Sequence, residues 1–382
     1  MSTWTFPHVP APPDWRIDWD AIAGRFAWIR AMAGVPQEPA YHAEGDVLTH
    51  TRMVAEALAG IDAWRTLPPE ERGLLFAAAL LHDVAKPART VTEPDGRISS
   101  PGHARAGAML AHYLLWIGDG LDIPPPFPWR EAVTRLVRHH GLPLWFYARD
   151  DPRRALLAAA QTTRLDQVAL LAEADVRGRV CADQRELLDR IGLFRAYAAE
   201  VGCASAPYPF ASDHSRVAYF ASAPGSQPDP ARVVYDDTVG EVTLLAGLPG
   251  AGKNTWIAAH RPDWLVVSLD AIRRERHMSP AGDQGAVVQA ARAHARDLLR
   301  RHEPFIWNAT NTSRALRTQL ITLFAAYHAR VAIVYVDAPY EVLRARNHSR
   351  PRPVPDTVID RLARRLEIPD ATEANSVRWV YA

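Results

Sequence analysis

The chain has 382 residues, enough for two or three domains, and 48% of them are hydrophobic, so sizeable cores can form. No apolar run is long enough to span a bilayer, and Met1-Ser2-Thr3-Trp4 opens no basic-then-apolar leader, so neither a membrane protein nor a secreted precursor is expected, and the predicted location is cytoplasmic. The net charge is only +1, but from Glu241 onward 20 basic residues stand against 14 acidic ones, and before it 24 stand against 29. Residues 1–16 are rich in Pro and Trp and are expected to wrap a surface. Asp18–Ala33 reads as a first helix with Ile22, Phe26 and Ile29 on one face. A second helix is predicted from Val47 to about Ile61 and carries His50. Pro68-Pro69-Glu70-Glu71 starts a third, Arg72–Val84, which Pro87 stops after His82-Asp83. Turn signals fill Thr92–Pro101. Helices then follow at His103 to about Ile117, Trp129–His140, Leu156–Arg179 and Leu187–Val201.

Residues 1–205 therefore read as an all-helical domain. Residues 206–240 read as a boundary or linker segment, with Pro224-Gly225-Ser226-Gln227-Pro228 its most linker-like piece and aromatics that suit packing on a domain. In residues 241–382 the pattern alternates. Strand candidates are Val242–Ala246, Trp264–Ser268, Pro304–Asn308, Arg330–Val336 and Val377–Tyr381, with helices between them. That alternation predicts an α/β domain with a parallel sheet covered on both faces, so the fold class is an all-α domain followed by an α/β domain. The two cysteines, Cys181 and Cys203, form no Cys-x-x-Cys pair and fit a reducing compartment.

Gly247-Leu248-Pro249-Gly250-Ala251-Gly252-Lys253-Asn254-Thr255 lies between a predicted strand and a predicted helix. In that setting backbone N–H groups and the helix start can cradle nucleotide phosphates, and Lys253 can reach the β- and γ-phosphates. Asn254 stands where Ser or Thr usually serves Mg²⁺. A similar Gly-Lys-x-Thr spelling in nucleoside-monophosphate kinases assigns the hydroxyl to Thr255, with the Asn254 amide as the other reading. Asp270 follows the next strand, at the carboxyl end where α/β ligands bind, and suits either a general base or a helix N-cap. Arg273 shares its helical face and suits an acceptor phosphate. Asn311 follows the third strand and is expected to face the same cleft. Arg344, Arg346 and Arg350 read as a lid over a triphosphate or as a solvated basic run. The only lysines, Lys86 and Lys253, both fall inside motifs, which suggests a need for a compact ammonium.

In the first half His50, His82-Asp83 and Asp175 resemble the metal-ligand pattern of HD phosphohydrolases. The resemblance implies two imidazoles and two carboxylates holding Mn²⁺, Fe²⁺, Co²⁺, Ni²⁺ or Zn²⁺. His103, His139 and His140 stand where two-metal members of that family place further ligands, with Asp83 as the bridge. Lys86, one turn on, can neutralise charge on a phosphoryl oxygen. Arg177 and Arg179 are candidates for phosphate contact.

Taken together, Gly-Asp-Val-Leu-Thr-His50, Leu-Leu-His82-Asp83-Val-Ala-Lys86-Pro, Ala-Glu-Ala-Asp175-Val-Arg-Gly-Arg, the Lys253 loop, Ser-Leu-Asp270 and Ala-Thr-Asn311 resemble bacterial enzymes that join an HD phosphohydrolase to a 5′-OH polynucleotide kinase. The resemblance covers nearly the whole chain. It implies removal of 2′,3′-cyclic, 2′- or 3′-phosphates with one or two transition metals, and transfer of an NTP γ-phosphate, with Mg²⁺, to a 5′-OH end of RNA or DNA ahead of a ligase. It further implies Asp270 as general base, Arg273 and Asn311 on the acceptor, and Arg344, Arg346 and Arg350 in the lid. The first half is also similar to the HD module of bacterial transfer-RNA nucleotidyltransferases, without their polymerase part. The alternatives are a small-molecule nucleotide phosphatase fused to a nucleoside or sugar kinase, and a nucleotide-gated sensor.

Overall fold

The computed structural model describes residues 4–223, 225–278 and 284–381; Pro224, in the linker-like stretch, and residues 1–3, in the segment read for a leader, lie outside them. The chain forms two compact units, Met1–Tyr208 and Pro209–Ala382.

The first unit is built on helices α1 (Val47–Gly60), α2 (Pro69–Leu81), α3 (His103–Ile117), α4 (Phe127–His139), α5 (Leu165–Arg177) and α6 (Gln184–Glu200). Helix α1 starts where the Asp46 carboxylate accepts from the Thr49 N–H, and it buries Val47, His50, Thr51, Val54 and Leu58, a stripe at helical spacing. Helix α2 is buried continuously from Gly73 to Leu81. A helix apolar all round belongs in the centre, and α2 packs against α1, α4 and α5. Its last residue is followed by His82-Asp83, which delivers that pair to the middle of the unit.

Two close approaches set the spacing. Gly107 on α3 lies against Val137 on α4 and the His82 carbonyl. Gly178, just past α5, lies against Val54 on α1, where a Cβ would stand 2.6 Å from the Val54 nitrogen.

Three expectations need correction in this unit. Asp18–Ala33 is two short helices, Trp19–Arg25 and Ala27–Arg30, because Phe26 turns extended and stacks on Phe6 at 5.5 Å. Leu156–Arg179 is also broken: Pro152–Ala160 ends where the Thr162 hydroxyl bonds back to the Ala159 carbonyl, and α5 begins after Arg164. The turn segment around Asp95-Gly96 closes a small antiparallel hairpin, Val91–Thr92 with Ile98–Ser99, within a half expected to be all helix.

The second unit holds five parallel strands, β1 (Glu241–Ala246), β2 (Leu265–Ser268), β3 (Phe305–Asn308), β4 (Arg330–Val336) and β5 (Ser376–Val380), in the order β2-β3-β1-β4-β5. All five sequence candidates become strands, with boundaries displaced by at most one residue. In register, Leu244 of β1 pairs with Trp307 of β3 and Ile333 of β4. Strand order reverses at β1, so a crevice opens at its carboxyl end, where the Gly-rich loop leaves the sheet. Helices α7 (Asp213–Ala221), α8 (Lys253–His260), α9 (Leu269–Glu275), α10 (Gln284–Arg300), α11 (Arg314–Ala325), α12 (Tyr340–His348) and α13 (Asp356–Ala363) complete the unit. Helix α7 falls inside the stretch expected as a linker. Ser212 caps it, and Arg216 ties it to the Ala371 and Asn375 carbonyls at 2.8 and 2.9 Å.

Candidate functional sites

In the first unit, His82 and His140 directly follow the last residues of α2 and α4, and His103 is the first residue of α3. In all three the Nδ1 atom meets the backbone carbonyl three residues earlier: Ala79 at 2.7 Å, Val137 at 2.8 Å and Ser100 at 2.9 Å. A carbonyl only accepts, so each Nδ1 carries a proton, and in the neutral ring each Nε2 keeps a lone pair; at His82 burial disfavours the charged ring, but Asp83 and Asp175 raise its pKa overall. His50 Nδ1 lies 2.8 Å from the Glu44 carboxylate. His50 Nε2 lies 3.3 Å from His82 Nε2, 3.2 Å from Asp175 and 3.8 Å from Asp83 Oδ2. Asp83 Oδ2 is 3.2 Å from His82 Nε2, and its Oδ1 is 3.6 Å from His103 Nε2.

Two of the donor clusters, His50–His82–Asp83 and Asp83–His103–His140, are joined at Asp83, and a third, His42–Glu44–His50, meets the first at His50. Asp83 is 2% exposed, and its buried Oδ1 has no hydrogen-bond donor. An orphaned carboxylate oxygen among imidazole lone pairs calls for a cation, and this mixed N/O set fits a divalent transition metal.

Two cations brace the carboxylates. Lys86 Nζ is 2.7 Å from Asp83 Oδ2 and donates to Gln37 Oε1 at 2.6 Å. Arg179 donates to both Asp175 oxygens, at 3.0 and 2.5 Å. Burial alone would raise the Asp83 carboxyl, but Lys86 and His82 hold it well below the ordinary range; Arg179 and His50 do the same for Asp175 against its burial. Burial pulls His140 down to about 3, which keeps its imidazole neutral. Burial also lowers His42, against the pull of Glu44. The cluster opens on a cavity of about 650 Å³ whose walls include Gln37, His42, Lys86, Arg149 and Arg179.

The structure thus brings together His50, His82, Asp83, His103, His140, Asp175 and Lys86. His139 joins neither of the clusters that share Asp83. Neighbouring helical residues point about 100° apart, and its Nε2 turns to the Thr162 hydroxyl at 3.3 Å. Arg177 pairs with Glu173, away from the donors. Gln37 and Glu44 went unassigned in the sequence. The signal for Gln37 was indirect, since a lysine buried beside an aspartate needs a further acceptor.

In the second unit the loop Gly247–Gly252 holds three glycines at positive φ. A Cβ on Gly247 would stand 2.5 Å from the Val336 carbonyl oxygen, and one on Gly250 would stand 2.5 Å from that of Leu343. Only glycine lets the loop run this close to its neighbours. Leu248, Pro249 and Ala251 complete the turn, and α8 starts at Lys253. Lys253 Nζ donates to the Gly247 and Leu248 carbonyls at 2.8 and 3.0 Å. Burial lowers its ammonium to about 8, with Asp270 opposing that shift and Arg350 adding to it.

Asn254 turns toward the sheet: its Oδ1 accepts from Asn308 Nδ2, at the end of β3, at 2.9 Å; Asn254 and Thr255 are both exposed. Ser268 caps α9, which leaves Asp270 in the first turn as a free-standing carboxylate paired with Arg273 at 2.5 Å. Arg346 comes within 3.6 Å of the position a Gly252 Cβ would take. Arg344 instead pairs with Asp356 at 2.7 Å, on the helix face it shares with His348. Asn311 is 5% exposed, sits at φ 45° and donates to the Leu245 carbonyl at 2.6 Å. It ties the end of β1.

Residues 47–174 match the family model of the HD domain, and residues 242–369 match a model described as AAA domain. The multifunctional CCA protein of Halorhodospira halophila is 41% identical over 87 residues, which are 23% of this chain and 18% of that protein. Its namesake in Thioalkalivibrio sulfidiphilus is 32% identical over 173 residues, 44% of this chain and 38% of that one. The chain therefore spans well under half the length of these relatives. Among solved structures, a chain of the Pnkp1/Rnl/Hen1 complex is 21% identical over 31% of this chain and 43% of its own, with a TM-score of 0.28. A putative kinase from Chloroflexus aurantiacus is 16% identical over 38% and 86%, with a TM-score of 0.31. The chain joins an HD domain to a P-loop kinase-like domain and is an enzyme. No helix among the described residues is long and apolar enough to cross a membrane.

Proposed function

We propose that the chain heals broken nucleic acid ends with two chemistries, a metal-dependent phosphohydrolase in residues 1–205 and a 5′-OH polynucleotide kinase in residues 241–382, acting ahead of a ligase. The observation that carries the reading is the sharing of Asp83 between two donor clusters that open on a cavity to which Lys86, Arg149 and Arg179 contribute positive charge. His50, His82, Asp83 and Asp175 would hold one ion, and Asp83, His103 and His140 a second. Divalent ions there supply Lewis-acid polarisation of a phosphoryl oxygen and a water acidic enough to attack at neutral pH. Lys86 and Arg179 hold the carboxylates in place and present positive charge to the phosphate in the cavity. The substrates of this domain are 2′,3′-cyclic, 2′- or 3′-phosphate ends.

In the second domain the Gly247–Thr255 backbone cradles the NTP phosphates. Lys253 leaves its carbonyl partners for the β- and γ-phosphates, with Mg²⁺ alongside. Asp270 takes the proton of the incoming 5′-hydroxyl, and Arg273 leaves Asp270 to hold the acceptor's phosphate. Arg346 and Arg350 are the lid residues closest to the loop; Arg344 must first release Asp356 to join them. The test is a pair of end-group assays, on a 2′,3′-cyclic-phosphate RNA strand and on a 5′-OH strand with ATP, across a metal panel. Lys253→Ala should abolish 5′ phosphorylation and spare phosphate removal, and Asp83→Ala should do the reverse. Loss of both activities in either folded variant, or phosphorylation of a free nucleoside as good as that of an oligonucleotide, overturns the reading.

A further inference from the structure

The segment Tyr41-His42-Ala43-Glu44 leads into α1 beside the metal donors. Glu44 is buried, with its side chain 1% exposed, and both its oxygens are engaged. Oε1 lies 2.8 Å from His42 Nδ1 and 2.8 Å from His50 Nδ1, and Oε2 accepts from the Val180 N–H at 2.9 Å. The Ala43 N–H donates back to the Val180 carbonyl at 3.0 Å, so the segment is pinned from both directions. A carboxylate can only accept, so the proton of the His42 ring is on Nδ1 and the lone pair is on Nε2. That Nε2 has no hydrogen-bond partner among the described residues, and His42 forms part of the cavity wall. The His42 ring stands edge-on to His50, with centroids 4.7 Å apart.

The same wall holds both kinds of group: Lys86, Arg149 and Arg179 only donate, which suits phosphate oxygens that only accept, while the carboxylates of Glu38 and Asp183 only accept. A nitrogen lone pair gains nothing from a phosphate oxygen. It needs a donor, and the donor nearest a sugar phosphate is a hydroxyl on the adjacent carbon. We propose that His42, fixed by Glu44, accepts a hydrogen bond from a hydroxyl vicinal to a phosphomonoester, so that among 3′-monophosphate ends the HD domain selects ribose, with its free 2′-hydroxyl, over 2′-deoxyribose; a 2′,3′-cyclic ester, with both oxygens esterified, makes this contact only once its ring is opened. The inference rests on the reading of this domain as a phosphohydrolase and names the substrate class of that same site. A polar site left unpaired by a missing hydroxyl discriminates strongly, and the 2′-hydroxyl is what separates RNA from DNA.

The experiment compares a ribonucleoside 3′-monophosphate with its 2′-deoxy counterpart, in the Mn²⁺-loaded full chain and its His42→Phe and His42→Asn variants. Wild type should favour the ribose ester by about 10- to 100-fold in kcat/KM. In His42→Phe that ratio should fall to about 1, through loss on the ribose ester alone. The ratio is internal to each protein, so incomplete metal loading or partial misfolding cancels from it. Calorimetric titration of the metal-free chain with the same two compounds gives a second readout without turnover, with the ribose compound expected to bind more tightly. A wild-type ratio near one, or a ratio that survives in His42→Phe, overturns the inference while leaving the phosphohydrolase standing. Failure to hydrolyse either ester or an aryl phosphate with any metal overturns both.

Discussion

Lys86→Met removes a cation from the centre of the first unit without removing a metal donor. Its ammonium is 2.7 Å from Asp83 Oδ2 and 2.6 Å from Gln37 Oε1, with the two charged side chains 10% and 2% exposed. Stranding a buried charge by deleting its partner costs about 3–5 kcal/mol, so the metal-free variant should lose stability of that order. The loss should be largest at neutral pH. Asp83 has a depressed carboxyl in the folded wild type, so its contribution is present above the ordinary carboxylate range and disappears as pH falls through its folded value. In the variant the carboxyl rises, so the two proteins converge only when pH falls below the depressed folded value of the wild type, where both carry it protonated. A divalent ion should restore most of the loss, because Asp83 is shared by two donor clusters. Urea titrations followed by hydrogen exchange of α1 and α2 peptides isolate this unit from the other. A metal-free loss under about 1 kcal/mol at pH 7, or one that Mn²⁺ does not reduce, would refute the picture of Asp83 as a carboxylate held by two interchangeable cations.

The remaining predictions concern the loop and the helix spacing. With Lys253 near 8, ATP affinity should be flat below that pH and then fall by up to about tenfold per unit above it, since the bound phosphates require the ammonium; equal affinity at pH 7 and pH 9.5 by fluorescence titration contradicts this. Because Asn254 turns toward Asn308, Asn254→Ala should raise the Mg²⁺ concentration needed for nucleotide binding more than Thr255→Ala does, and the reverse ranking would reinstate the Thr255 hydroxyl. Gly178→Ala should destabilise the first unit by about 1–3 kcal/mol and weaken metal binding, because a Cβ there drives into the Val54 backbone and moves α1 from α5. Gly192→Ala on α6, where a Cβ meets nothing within 4 Å, is the control and should be neutral or stabilising in the same melting assay.

The five strands were legible because each is a short apolar run bounded by turn or helix signals, and a buried parallel strand needs nothing more. The candidate metal donors His50, His82, Asp83 and Asp175 were legible through their resemblance to the ligand pattern of HD phosphohydrolases, a His-Asp step at a helix end with partners on other helices. What escaped was long-range or directional. Gln37 meets Lys86 across 49 positions, and Glu44 meets Val180 across 136, and no local pattern encodes either contact. His139 and His140 look equivalent in a string and diverge on a helix. Asn311 follows a strand as a ligand residue would, yet its left-handed backbone and its bond to Leu245 make it a structural cap, a role asparagine fills for the same polar reasons.

The backbone carbonyls that orient His82, His103 and His140 have a consequence for how the centre tolerates change. A main-chain oxygen three residues back is supplied by whatever amino acid occupies that position. Substitution at Ala79, Ser100 or Val137 therefore leaves the orienting oxygen in place as long as the local backbone keeps its path. Histidine 50 differs, because its Nδ1 faces a side chain, Glu44. Genetic drift can erode the aim of the donor set most directly through that residue. Saturation mutagenesis around the centre should accordingly find Glu44 far less permissive than any of the three positions whose carbonyls do the same task.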